Sequence, residues 1–304
     1  MTTAAVSGQI ARDTKTLSRP MMLGCSLLFF AVMCSHLGAY LGEYDEGPTL
    51  QAAMLSQDGY LLYDEIVYNK PPLLVWWLGL GMRLGGTSLQ VSRLTIVWIT
   101  LLGFCGLGAL AARWFGPWAG PLAMALVFGA PDLVMRMMAA TNELPAMSMV
   151  CLSLLAYTWH RESTRLAYAL FAGVTFGLAM GFHPLLIYAA APLGVLILLP
   201  LREAPTFPQW RTDYLYPFLV VTASALSVSL PWLLIVSGDE FARWVVAYNS
   251  APLGPGLAQL AANNPRVLVS YYFGEKWYYS VAFAAACLTS LTKPRSRTAA
   301  IVAG

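Results

Sequence analysis

Long apolar stretches recur along this chain and restrict it to folds that a lipid bilayer accepts. Of its 304 residues, 58% are hydrophobic and only 11% are charged, whereas charged residues make up about 25% of an ordinary soluble domain. Inside a bilayer every backbone polar group must find a partner within the protein, so apolar stretches of about 20 residues predict membrane-spanning helices. We therefore expect an all-α polytopic membrane protein.

Eight stretches are long enough, or nearly so, to cross a membrane. They are residues 21–41, 94–112, 118–135, 144–159, 166–182, 184–201, 214–236 and 277–291. A ninth stretch, 71–84, is rich in tryptophan but too short to cross comfortably, and we predict that it lies at the membrane surface. Lysine and arginine concentrate in cytoplasmic loops, and this topology puts most of the 18 basic residues there, whereas an extra crossing would divide them evenly.

The predicted topology divides the chain into three parts. Residues 1–20 form a cytoplasmic N-terminal tail, residues 21–292 a transmembrane domain, and residues 293–304 a second cytoplasmic tail, which is compatible with either a complete or a truncated product. Three outside loops, 42–93, 136–143 and 237–276, face one compartment, and loops as long as the first and last are usually functional. Within the first loop we predict a short surface helix from Pro48 to Gln57 and another opened by Pro71.

The first outside loop carries the groups best suited to chemistry. Asp45 and Glu46 are adjacent carboxylates where the first span ends, and a carboxylate in such a position can serve as a general base; the alternative is a solvated acidic loop. Lys70 precedes a double proline. It either extends its ammonium to the membrane surface or binds a phosphate at the start of the following helix.

Two other outside turns carry ionisable residues. Arg136 follows Asp132 by four positions, so a helical ion pair is one interpretation, and Glu143 could simply favour a helix N-terminus through the helix dipole. His183 and Pro184 form the turn between two apolar stretches. An ordinary polar turn is the simpler interpretation of His183, but the topology places it on the same side as both acidic segments.

Several short motifs follow one another in a distinctive order. They are Tyr44-Asp45-Glu46-Gly47, Asp58-Gly59-Tyr60-Leu61-Leu62-Tyr63-Asp64, Asn69-Lys70-Pro71-Pro72-Leu73, Arg93 and Asn142-Glu143-Leu144-Pro145. Together they resemble the dolichyl-phosphate-mannose protein mannosyltransferase-like superfamily, which includes glycosyltransferase family 39 and the bacterial aminoarabinose transferases. The resemblance implies a GT-C-type bundle with about eight transmembrane helices and two juxtamembrane helices in the first outside loop.

The resemblance also implies an activity. A hexose or pentose would leave a polyprenyl-phosphate donor at the outer face of a bacterial plasma membrane, and an acceptor hydroxyl on a lipid, glycan or protein would attack with inversion. The implied catalytic residues are Asp45, Glu46 and Glu143. The implied substrate-binding residues are Lys70, Arg136, His183, Asn69, Tyr63, Asp64 and Asn142.

No cofactor is required by the resemblance, although Asp45 and Glu143 could together hold a divalent cation. Asn69 stands where the aminoarabinose transferases carry a glutamate, which argues against a tightly held metal. With a net charge of +3 and no basic block, the chain has no feature of a nucleic-acid-binding protein. The alternative function is a catalytically incomplete subunit that binds a lipid phosphate and assists a separate transferase.

Overall fold

Helices form almost all of the regular secondary structure in the described part of this protein. The structure is a computed structural model that describes residues 3–39, 45–183 and 210–235, together with residues 193, 194 and 197. Within these residues there is no strand, only an isolated bridge between Leu62 and Ile66. The helices are α1 (Thr3–Ser35), α2 (Glu46–Gln57), α3 (Leu73–Gly85), α4 (Leu89–Phe115), α5 (Ala119–Phe128), α6 (Pro131–Arg136), α7 (Glu143–Ser163), α8 (Leu166–Phe182) and, continuing a π-helix at Arg211–Leu215, α9 (Tyr216–Ile235). The predicted all-α class is confirmed for this part of the chain.

Three of the described helical segments are long and apolar enough to cross a membrane, and they identify an integral membrane protein. They are Leu17–Ser35 within α1, Leu89–Phe115 and Arg211–Pro231. Each overlaps a predicted span. The total of eight spans stays a prediction, because several of the predicted segments lie outside the described residues. These are the span 184–201 apart from residues 193, 194 and 197, the span 277–291, the loop 237–276 and the tail 293–304.

The predicted span 118–135 is not one continuous helix. It is divided into α5 and α6, and Pro131 is the first residue of α6. Proline disfavours the helical conformation in the residue before it, and Ala130 accordingly has a φ of −116° and a ψ of 81°. The break brings the backbone of the following segment, residues 137–142, into the interior, where Met138, Ala139, Ala140 and Asn142 are fully buried.

The two short helices predicted between the first two spans are present as α2 and α3. At 13 residues, α3 is about 20 Å long, well short of the roughly 30 Å hydrocarbon core of a bilayer. Ala52 and Ala53 of α2 pack in one cluster with Leu74 and Leu78 of α3. The indole of Trp77 also donates a hydrogen bond to the Thr95 carbonyl of α4, at 3.1 Å. These contacts hold the connecting segment 58–72 against the bundle.

Helix α4 lies at the centre of the packing and contacts α1, α3, α5 and α7. On the α1 side, Phe29 stacks on Phe104 with ring centroids 4.5 Å apart, and Phe128 meets Phe104 edge-on. On the α7 side the helices approach closely because Gly103 faces Ser148. Small residues are the usual means of close helix packing in membranes, where no hydrophobic effect drives helices together.

Helices α7 and α8 run antiparallel, which decides where their terminal residues lie. Thr164 turns the chain between them in the left-handed conformation, with a φ of 58°. The first residue of α7 and the residue that ends α8 therefore lie at one end of the pair. At the opposite end, Arg113 at the end of α4 pairs with Glu162. Glu143 and His183 thus lie at the same end of the bundle.

A close approach between α8 and α9 predicts a destabilising substitution. A methyl group added at Gly173 would overlap Ser224 Oγ and the Val221 carbonyl oxygen. Gly173→Ala should therefore lower the unfolding temperature in detergent, with an overpacking cost of about 1–3 kcal/mol.

Gly24→Ala is the matched control, because no atom lies within 4 Å of the added group in α1. Alanine also has the higher helix propensity, so this control should unfold at the same or a higher temperature than the wild type. Equal unfolding temperatures for the two variants would contradict the observed α8–α9 packing.

Candidate active site

Four ionisable side chains from four separate segments meet at one end of the bundle. Asp45 precedes α2, Lys70 precedes α3, Glu143 begins α7 and His183 ends α8. Lys70 Nζ lies 2.8 Å from Asp45 Oδ2 and 3.9 Å from Glu143 Oε1. His183 Nε2 lies 3.7 Å from the same Glu143 oxygen. We call these residues the four-residue cluster.

The two carboxylates of the cluster are accessible and its two nitrogen-bearing side chains are largely covered. Asp45 and Glu143 are 50% and 48% exposed, whereas Lys70 and His183 are 15% and 17% exposed. Burial lowers the pKa of His183; Glu143 opposes this shift and Lys70 adds to it. His183 is therefore neutral at pH 7, and its buried Nδ1 has no hydrogen-bond partner among the residues that the structure describes.

Asp45 is available to the cluster because it does not cap its own helix. An aspartate at the position before a helix usually accepts a hydrogen bond from the first turn. Asp45 holds that position for α2 but makes no such bond with its side chain; its Oδ2 accepts from Lys70 instead. The side chain is half exposed.

Glu46, beside Asp45, lies in a different environment. Arg93 donates two hydrogen bonds to its carboxylate, at 2.8 and 2.7 Å, and the side chains of Glu46 and Arg93 are only 10% and 3% exposed. Glu46 also accepts from the Ala140 amide at 3.2 Å. Arg93 donates to the carbonyls of Leu37 and Ala39 after α1, at 2.9 and 2.5 Å. The Glu46–Arg93 pair therefore joins four segments.

Lys70 is placed by a tightly folded segment before it. The hydroxyl of Tyr63 donates to the Lys70 carbonyl at 2.6 Å. Tyr63 is buried and has a φ of 77°, a left-handed conformation that costs a bulky residue on the order of 1–3 kcal/mol. A backbone bond from Tyr63 to Ile66 at 2.8 Å closes the turn, and the Glu65 carboxylate accepts from the Leu61 amide at 2.8 Å.

Asn142 is enclosed by the surrounding protein. It is completely buried. Its Oδ1 accepts from Tyr68 at 3.3 Å and its Nδ2 donates to the Phe182 carbonyl at 2.8 Å.

The other predicted substrate-binding residues lie outside the four-residue cluster. Asp64 lies exposed in the turn beside Tyr63, Asn69 is partly buried next to Lys70, and Arg136 lies exposed at the end of α6.

Two residues of this region had no role in the sequence-based interpretation. Arg93 was part of a motif without an assigned function, and Tyr68 was not singled out. The signal for Arg93 is its position immediately before a long apolar stretch, where an arginine that is buried in the bundle requires an acidic partner. The signal for Tyr68 is weaker, since an aromatic residue next to Asn69 and Lys70 could equally lie at a membrane surface.

The residues present do not fit a resident divalent cation. The ammonium of Lys70 lies between Asp45 and Glu143, where a bridging cation would have to bind. Within the described part of the chain, no three His, Cys, Asp or Glu side chains are grouped as metal ligands. The positive charge that the two carboxylates require is supplied by Lys70.

Apolar helices of membrane-spanning length and a cluster of ionisable side chains at one end of the bundle characterise the described part of this membrane protein. The family model described as dolichyl-phosphate-mannose-protein mannosyltransferase matches residues 69–235. Since this segment is more than half of the chain, the protein belongs to that family of GT-C-type membrane glycosyltransferases. Comparisons with curated proteins and with solved structures gave no match.

The matched segment contains three members of the four-residue cluster, namely Lys70, Glu143 and His183, and also Arg93. It begins after Asp45 and Glu46. The connection between Asp45 and the family segment is therefore provided by contacts in the structure, through Lys70 and through the Glu46–Arg93 pair.

The Glu46–Arg93 pair predicts a large loss of stability when only one partner is removed. Arg93→Met leaves the buried Glu46 carboxylate without its cation, which should cost about 3–5 kcal/mol. Thermal unfolding in detergent should show a correspondingly lower midpoint, and adding Glu46→Gln in the same molecule should recover part of the loss.

Arg83→Met provides the comparison, because Arg83 is an exposed arginine that bonds Gln57 on the neighbouring helix. Its removal should change the unfolding midpoint little. A midpoint for Arg93→Met as high as that of Arg83→Met would contradict a structural ion pair.

Proposed function

We propose that this protein transfers a sugar from a polyprenyl-phosphate donor to an acceptor hydroxyl, with inversion at the anomeric carbon. The observation that carries the proposal is the position of one partly buried lysine against two accessible carboxylates, in a member of a glycosyltransferase family. The cluster combines a base for the attacking hydroxyl with a cation for the leaving phosphate. We further propose that this end of the bundle faces the outside of a bacterial plasma membrane.

Asp45 is the proposed general base. One of its oxygens is held by Lys70 while the side chain remains half exposed, so the other oxygen can accept the proton of an acceptor hydroxyl. The acceptor oxygen then forms its bond to the anomeric carbon as the bond from that carbon to the phosphate oxygen breaks. Because attack and departure take place on opposite faces of the sugar in one displacement, the configuration is inverted.

Lys70 is the proposed ligand of the leaving phosphate. The lipid phosphate gains negative charge as the sugar departs, and a cation in a site of low dielectric stabilises that charge. Lys70 is 15% exposed and lies three positions before the first residue of α3, Leu73. The positive end of the α3 dipole would add to the effect. His183, which is neutral, could donate a hydrogen bond but no charge.

Glu143 is proposed to orient the sugar or the acceptor rather than to take the proton. It lies 3.9 Å from Lys70 and 3.7 Å from His183, and it is as exposed as Asp45. Two carboxylates that share one lysine are fixed in relative position, which is what orientation of a polyhydroxylated substrate requires. Glu46, held by Arg93, is proposed to position Asp45.

Asp45→Asn is the direct test of the base. The amide keeps the shape of the side chain but cannot accept the proton, so transfer should fall by a factor of about 10² or more. The measurement is transfer of labelled sugar from a panel of polyprenyl-phosphate-linked hexoses and pentoses by the purified full-length protein in lipid.

Asp58→Asn is the matched control for Asp45→Asn, since Asp58 is an exposed aspartate at the other end of α2. It should transfer as the wild type does. Unchanged transfer by Asp45→Asn would refute the assignment. A wild-type chain that binds polyprenyl phosphate but transfers sugar only with a second protein would instead support the subunit hypothesis.

Substitutions of Lys70 test the phosphate ligand separately from the base. Lys70→Met should weaken binding of polyprenyl phosphate about tenfold or more, since a charge-assisted contact is lost. Lys70→Arg retains the positive charge and should bind more tightly than Lys70→Met. Isothermal titration in nanodiscs measures this without any sugar transfer, and equal affinities for the wild type and Lys70→Met would exclude Lys70 as the ligand.

A further inference from the structure

Three polar side chains beneath the four-residue cluster are almost completely buried. Thr49 is 1% exposed, Tyr68 4% and Asn142 0%. The phenol of Tyr68 donates to Asn142 Oδ1 at 3.3 Å, and the Thr49 side chain lies near enough to lower the pKa of the phenol. We call these residues the buried chain.

The buried chain is attached to the backbone beside every member of the cluster. The Thr49 hydroxyl donates to the carbonyl of Asp45 at 2.8 Å. Asn142 Nδ2 donates to the carbonyl of Phe182, the residue before His183, at 2.8 Å. Tyr68 stands two positions before Lys70, and Asn142 directly precedes Glu143. Residues of the buried chain therefore bond to the backbone at or next to two members of the cluster, and lie within two positions of the other two in the sequence.

The chemistry of the buried chain favours one persistent arrangement. Burial raises the pKa of Tyr68 to about 12, although the side chains of Thr49 and Asn142 oppose the shift, so the phenol keeps its proton at physiological pH. A buried amide that lost its partners would be destabilised by about 1–3 kcal/mol. Asn142 occupies the position before α7 yet makes no capping bond with its side chain, which leaves the amide committed to Tyr68 and Phe182.

We propose that Tyr68 and Asn142 are positioning residues that hold Lys70, Glu143 and His183 in a single relative geometry. The catalytic consequence rests on the proposed function. The geometric consequence does not, since it concerns only how these side chains are held. Tyr68→Phe removes the phenol contact and preserves the ring, while Asn142→Leu removes both amide contacts at similar volume.

The kinetic test separates positioning from binding. Because misplacing catalytic groups acts mainly on the chemical step, Tyr68→Phe should lower kcat about tenfold or more, with the KM for the donor changed less than about threefold. Asn142→Leu already removes the partner of Tyr68, so the double variant should be no slower than Asn142→Leu alone. Tyr157→Phe, at a buried tyrosine in another part of the core, should keep the wild-type kcat.

The geometric test needs no sugar transfer. His183 is only 17% exposed, whereas His36 is exposed and serves as a reference within the same molecule. At one fixed pH, diethylpyrocarbonate should modify His183 several-fold faster, relative to His36, in Tyr68→Phe and Asn142→Leu than in the wild type, as measured by mass spectrometry. The ratio in Tyr157→Phe should equal that of the wild type.

The two tests can fail independently. If Tyr68→Phe and Asn142→Leu fold and leave the His183 to His36 ratio within about twofold of the wild-type value, the positioning role is refuted. It is refuted equally if Tyr157→Phe changes the ratio as much as they do. A wild-type protein that transfers no sugar would overturn the proposed function instead, and the modification ratio would still decide whether the buried chain holds the cluster.

Discussion

The buried ion pair between Glu46 and Arg93 is the interaction on which the rest of the site depends. Removing two charges from water is costly, and an ion pair tolerates burial only when its remaining hydrogen-bonding positions are filled. Here they are filled by backbone groups from the end of α1 and from Ala140. The pair therefore connects the first span, α2, α4 and the segment before α7. Asp45 and Glu143 project from two of these connected segments.

The ends of α2 and α7 show the same departure from ordinary helix capping. Both helices are preceded by a residue suited to capping, Asp45 and Asn142, and neither side chain caps its helix. A missing cap typically costs about 1 kcal/mol of stability. In each case the side chain is used elsewhere, by Lys70 in the first and by Tyr68 and Phe182 in the second. The two helix termini at the cluster therefore lack the stabilisation that a side-chain cap would provide.

The sequence allowed the elements to be predicted better than their contacts. The surface helices α2 and α3 follow from their prolines and limited length, and the shared side of Glu143 and His183 follows from counting crossings. The break at Ala130 was missed because hydropathy averages over a window and does not register one proline. The different environments of Asp45 and Glu46 could not be predicted, because two adjacent carboxylates carry the same charge and look alike in the sequence. Only the position of Arg93 in the fold distinguishes them. Tyr68 was missed for a similar reason, since its partner Asn142 is distant in sequence.

Pairs of neighbouring residues with opposite orientations explain how an exposed site can be held by a buried framework. Glu46 is buried while Asp45 is exposed, and Asn142 is buried while Glu143 is exposed. Phe182 likewise accepts a bond from the interior just before His183. Since consecutive residues share a peptide unit, anchoring one limits the movement of the next to its own side-chain rotamers. The geometry of the cluster is thus set mainly by buried neighbours. Its own ion pairs, all of which involve half-exposed carboxylates, need contribute little to stability. Such a division leaves the exposed groups available for exchange with charged substrates, because breaking their contacts does not release the backbone that carries them.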